Sequence, residues 1–154
     1  MVVYFLDASA LAKRYLAEKG SAWVRAITDP VAGNDCWIGT LSGVEVLSAL
    51  YRRVRMGAIP LAQARRMDIQ FRNDLTANLQ GIEPIPVIIH EAMRLISTYP
   101  LRAYDAVQLA TALYLRLQNA AAGMAAPVFV VSDNDLTRAA AAEGLSTEDP
   151  NLYP

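Results

Sequence analysis

Cysteine, histidine and lysine are nearly missing from this chain: 154 residues hold one Cys, one His and two Lys. Cys36 has no internal disulfide partner, and Cys36 with His90 cannot supply the nitrogen and sulfur ligands of a structural zinc centre. Any bound metal must therefore be held by oxygen. Hydrophobic runs stay short of the roughly 18 to 20 residues of a membrane span, and the stretch after Met1 is too brief for a signal-peptide core. These two absences lead us to expect a cytoplasmic protein without membrane association. The chain also has no G-x-x-x-x-G-K-[ST] phosphate loop, no G-x-G-x-x-G and no pair of histidines for metal-free RNA cleavage. A net charge of -1 lacks the overall basic excess of a dedicated nucleic-acid binder, so any contact with phosphates must come from local charge.

What is present is apolar and arginine-rich. Hydrophobic residues make up 54% of the chain, enough for a substantial core, and the length fits one domain over residues 1–154. Twelve of the fourteen basic residues are Arg, densest at Arg52, Arg53 and Arg55 and again at Arg65, Arg66 and Arg72. Arginine's planar fork suits phosphate oxygens, although such a run also serves as a solvated helix face.

Val2 to Leu6 is a continuous apolar run, read as a buried parallel strand ended by Asp7. Ser9 is then expected to cap a helix through about Glu18, and Ser21 a shorter one toward Thr28. Cys36-Trp37-Ile38 forms a second strand. From Ser42 a helix follows with Val44, Leu47, Leu50, Tyr51 and Val54 on its apolar face, closed by Gly57 and Pro60. Leu61 to Leu79 reads as a helix whose imperfect stripe suits packing on another chain. Pro84 and Pro86 demote 82–87 to a short or edge strand before a helix from about Ile88 to Thr98. A long helix spans Arg102 to Leu117. Val128 to Val131 is the next apolar strand, a helix reaches Ala142, and 145–147 is a final strand. Strands alternating with helices predict a three-layer α/β/α domain with a mostly parallel central sheet.

Four carboxylates occupy matched places in this pattern. Asp7 and Asp133 follow the two most apolar strands, whereas Glu45 and Asp105 open two helices. Each has a purely structural explanation: Asp7 and Asp133 as helix caps, Glu45 in an S-x-x-E capping box with Ser42, Asp105 as a first-turn acid favoured by the helix dipole. Four such explanations at four matched places are less economical than one shared site at the carboxyl edge of the sheet, where α/β folds bind ligands. Two carboxylates about 4 Å apart repel by on the order of 4 kcal/mol at an effective dielectric near 20, which calls for protonation or a cation. Hard oxygen donors select Mg²⁺ or Mn²⁺, and such an ion acidifies water and neutralises charge on a phosphoryl group, so the site suits phosphodiester hydrolysis. His90, isolated, reads as a helix-surface residue, Trp23 and Trp37 as core. Tyr51 beside Arg52 and Arg53 is a candidate RNA contact.

The segments F-L-D-A-S-A-L-A-K-R-Y (5–15), S-G-V-E-V-L-S-A-L-Y-R-R (42–53), L-R-A-Y-D-A-V-Q-L-A-T-A-L (101–113) and V-S-D-N-D-L-T-R-A-A-A-A-E-G-L (131–145) occur in an order that resembles the PIN-domain ribonucleases, in particular the VapC-type toxins of toxin-antitoxin pairs. The resemblance implies a PIN-like fold and endonucleolytic cleavage of single-stranded RNA by Asp7, Glu45, Asp105 and Asp133. It also implies Mg²⁺ or Mn²⁺ held by Asp7 and Asp105, with Asp133 direct or through water, and Glu45 positioning water or a second ion. Ser9 and Ser132 match supporting hydroxyl positions, and the spacing to Leu136 selects Asp133 over Asp135. A homodimer and a small antitoxin partner are implied as well. Arg52 and Arg53, with Arg55, are the candidate phosphate contacts. Two rivals stand beside this reading: a non-catalytic binding or assembly domain of the same fold, and an aspartyl-phosphate module, which lacks its late lysine because Lys13 and Lys19 both lie near the start.

Overall fold

The computed structural model describes residues 1–154. The chain runs β1 (Val3–Leu6), α1 (Ala8–Tyr15), α2 (Ser21–Ile27), β2 (Asp35–Gly39), α3 (Ser42–Arg55), α4 (Leu61–Ala77), β3 (Gln80–Ile82), α5 (Pro86–Thr98), α6 (Ala103–Ala121), β4 (Val128–Val130), α7 (Asn134–Ala142) and β5 (Ser146–Glu148). Short 3-10 turns lie at Pro30–Ala32 and Pro150–Leu152.

The five strands form one sheet in the order β3-β2-β1-β4-β5, and every pair is parallel. Alternation along β1 and β4 divides the core. Val3, Phe5, Phe129 and Val131 point into a layer made by α5, α6 and α7. Leu6 and Val130, with Cys36 and Ile38 of β2, point into the layer made by α1 to α4. Phe5 and Phe129 meet at 5.7 Å between ring centroids with no solvent exposure, each contributing about 1.5–3 kcal/mol by burial. The domain is thus the three-layer α/β/α sandwich that the strand and helix pattern predicts, with a wholly parallel sheet.

Several boundaries differ from the sequence reading, each for a local reason. Asp7, not Ser9, caps α1: its carboxylate accepts from the Ala10 amide at 2.7 Å, so the helix starts earlier and ends at Tyr15 rather than Glu18. Residues 82–87 do not form the expected strand. The strand is Gln80–Ile82, and Pro86 sits in the first turn of α5, where its missing N–H costs nothing. On α3 it is Val46, 2% exposed, that enters the core, whereas Val44 is 69% exposed. α4 is anchored on its own chain by Ala64, Phe71 and Asp74, while Ile69 remains exposed.

Two buried polar clusters hold the α1 side together. Asp74 of α4 accepts from Arg14 Nε at 2.9 Å, Tyr15 Oη at 2.8 Å and Asn78 Nδ2 at 2.8 Å, and Arg14 also donates to Thr28 Oγ1 at 2.7 Å. Lys13, 6% exposed, donates to the Lys19 carbonyl and to Asn151 Oδ1, both at 3.0 Å, tying the carboxyl-terminal turn to α1. The tail is fixed further by the Trp23–Tyr153 stack, with centroids 4.4 Å apart.

Candidate active site

The chain winds from β1 outward through β2 to β3, then returns to place β4 on the other side of β1. Winding therefore reverses between β1 and β4, and the crevice outside the carboxyl ends of two such strands is where open parallel sheets bind ligands. Asp7 immediately follows β1, and its amide donates to the Val130 carbonyl of β4 at 3.1 Å. Asp133 lies three residues beyond β4. Both acids stand at this reversal point. Asp105 and Glu45 reach it from the first turns of α6 and α3.

Electrostatics link the four in a chain. Asp7 is 6% exposed, and burial, opposed by bonds from Ala10 and Ser9 and reinforced by the Asp105 charge, pushes its carboxyl up to about 6. Glu45, half-buried, is pushed up to about 7 by desolvation and by the charges of Asp7 and Asp105. Asp105 is raised by burial and by Asp133, with Arg102 opposing. Asp133 is exposed and caps α7, accepting from the Leu136 amide at 2.9 Å. The Ser9 hydroxyl lies 2.8 Å and 3.0 Å from the two Asp7 carboxylate oxygens.

The capping box expected of Ser42 and Glu45 does not form. Leu41 occupies the cap position without a side-chain bond, and the Ser42 hydroxyl, fully buried, instead accepts from Gln108 Nε2 of α6 at 2.8 Å. Glu45 is thereby released from structural duty. The hydroxyls of Tyr104 and Ser132, both buried, have no hydrogen-bond partner, and each belongs to a residue next in sequence to one of the acids.

No three His, Cys, Asp or Glu side chains form a group that could hold a metal ion between them as placed. The donor set nevertheless fits a hard divalent cation, which keeps most of its waters and needs only one or two carboxylates. Burial and mutual repulsion have raised three of these carboxyls, so a positive charge is what the cluster lacks.

From Glu45 two adjoining cavities of about 230 and 460 Å³ run between α1 and α3, sharing Ser9, Ala12 and Ala49. Arg52, Arg53 and Met56 line the far end. The two arginines are not equivalent: Arg53 is paired with Glu18, whereas Arg52 makes no ion pair. Arg55 is exposed on the same helix. Tyr51 does not present its hydroxyl to a ligand, because it donates to Asp68 at 2.7 Å. His90 is exposed on α5, as expected of a surface residue. Sequence reasoning missed Asp74, Tyr104 and Gln108. Only Asp74 carried a signal, as a charge three residues after Phe71 on the buried stripe of α4, a position that demands a partner.

The PIN domain family model matches residues 4–142, and the chain belongs to that family. No curated protein matches it in sequence. Among solved structures it is similar to PAE2754 from Pyrobaculum aerophilum, with TM-score 0.63 and 22% identity over 98% of this chain and 92% of that one. A toxin-antitoxin complex from Klebsiella pneumoniae matches with TM-score 0.60 and 14% identity over 96% and 97%. VapBC2 from Rickettsia felis, bound to a DNA fragment from their promoter, matches with TM-score 0.63 and 10% identity over 96% and 98%. At these identities the likeness is one of fold.

Proposed function

We propose that this chain, as one PIN domain over residues 1–154, is a Mg²⁺- or Mn²⁺-dependent endoribonuclease that hydrolyses single-stranded RNA, and that it acts as the toxin of a toxin-antitoxin pair. The observation that carries the reading is the placement of Asp7 and Asp133 just past the two strands where the sheet reverses, with the Asp105 charge raising both Asp7 and Glu45 and itself opposed by Asp133. Asp7, Asp105 and Asp133 are assigned to the ion. When bound, the ion acidifies a water and neutralises charge on the phosphoryl group.

The protein's own groups do the rest. Ser9 holds the Asp7 carboxylate through its hydroxyl and the Ala10 amide fixes its other bond, so Asp7 enters the site oriented. Glu45 stands near 7 because burial first, and then the charges of Asp7 and Asp105, disfavour its carboxylate. Neutralising those two acids removes the electrostatic part of that shift, which favours the carboxylate and lets it accept a proton at Oε from the attacking water. Arg52, at the far end of the groove and free of an ion pair, is assigned a phosphate of the RNA strand. Arg53 contributes less, since Glu18 already neutralises it.

Likeness in fold to a toxin-antitoxin complex and to VapBC2 supports an antitoxin as partner. A homodimer is assigned on the apolar surface that α5 exposes through Val87, Ile89, Met93 and Ile96. The test is cleavage of single-stranded RNA by the purified protein with Mg²⁺ or Mn²⁺. Asp7→Asn and Asp105→Asn are expected to abolish cleavage while leaving the circular dichroism spectrum intact. Undiminished cleavage by both variants rejects the assignment.

A further inference from the structure

α3 and α6 carry Glu45 and Asp105, and the bond between Gln108 and Ser42 crosses from one helix to the other with both side chains buried, at 3% and 0% exposure. Tyr104 lies four residues before Gln108, and Glu45 lies three residues after Ser42. Residues at those spacings share a helix face, so Tyr104 and Glu45 belong to the same pair of facing surfaces as the bond already formed. The Tyr104 hydroxyl is buried and has no partner. Burial first, and then the Glu45 charge, hold the Tyr104 hydroxyl in its protonated, donating form. A buried hydroxyl left without a partner costs about 1–3 kcal/mol, a cost native proteins seldom carry without use.

We infer that the Tyr104 hydroxyl is the second rung between α6 and α3, donating to the Glu45 carboxylate through one bridging water, and so acting as a positioning residue for Glu45. The first rung sets how far apart the helices sit at Ser42. The second fixes the torsion of Glu45 itself, which no other bond in the structure holds. With the rung made, one carboxylate oxygen is tethered toward Tyr104 and the other is presented to the cleft. This inference rests on the ribonuclease reading only for its catalytic consequence; the contact itself stands or falls on stability.

Two measurements test it. Thermal unfolding midpoints at pH 8 for the wild type, Y104F, E45A and the double variant form a cycle that isolates the pair. A made contact gives midpoints that depart from additivity by about 3 °C. Strict additivity overturns the rung. In the RNA cleavage assay, Y104F is expected to lower kcat about tenfold, the size expected for one hydrogen bond to a charged group, with KM within about twofold of wild type. Unchanged kcat overturns the positioning role even if the cycle is non-additive, as does a loss confined to KM. Should the wild type fail to cleave RNA at all, the ribonuclease reading falls, and the cycle alone decides the rung.

Discussion

Asp7 serves two ends with one side chain: it caps α1 and it places a buried carboxyl beside Asp105. Its native pKa of about 6 lies above the ordinary value of 3.8, so the folded protein keeps a proton that the unfolded chain releases. The stabilisation from Asp7 is therefore complete below about pH 4 and is lost as pH rises through about 6, an effect on the order of 3 kcal/mol. Asn keeps the cap and removes the charge. Without divalent ions, Asp7→Asn is expected to melt several degrees above wild type at pH 8 and together with it at pH 4, measured by thermal unfolding in a chelator. Equal midpoints at pH 8 would show that Asp7 is not strained by burial. The acids could be found in the sequence because each ends an apolar run or opens a periodic one. Tyr104 and Gln108 could not, because their meaning lies in partners on another helix: Gln108 meets a residue 66 positions away.

Among the helices, α1 and α4 depend on the Asp74 cluster, whose ion pair is almost wholly withdrawn from water, with 11% and 9% side-chain exposure. Removing one member leaves the others desolvated without compensation. Asp74→Ala is expected to cost about 3–5 kcal/mol in urea unfolding, more than Arg72→Ala, whose pair with Asp68 lies at the surface. The turn between α1 and α2 is as specific. Gly20 has φ +82°, and a Cβ there would fall inside the Pro150 carbonyl. Gly20→Ala is accordingly expected to loosen the carboxyl-terminal turn, read as a shift in Trp23 fluorescence once the Tyr153 stack is lost, with a lowered unfolding midpoint. The helix boundaries near Ser9 and Pro84, and the capping box at Ser42, whose helix does begin there, misled the sequence reading for one reason. Ser and Pro signal a start nearby, but which residue caps is settled by what the neighbouring strand or helix offers: Val130 for Asp7, Gln108 for Ser42.

For the molecule as a whole, the alternation of strands and helices was enough to predict three layers, since buried parallel strands read as unbroken apolar runs. Strand order was not available from that pattern, because it is decided by which faces of α5 to α7 fill the second layer. If the acid cluster exists to hold a cation, Mn²⁺ should raise the unfolding midpoint, and by more at pH 8 than at pH 5, since protons compete with the ion for Asp7 and Glu45. A binding or assembly domain whose acids only cap helices shows no such rise, and differential scanning calorimetry separates the two.

The outermost strands, β3 and β5, are three residues long, and Pro84 and Pro86 follow β3 almost at once. A foreign strand seeking to zip onto either flank finds too few free amides and carbonyls to hold it. Fibril growth by lateral accretion is thus disfavoured at both borders, and copies of this protein that come together must do so through their helical exteriors.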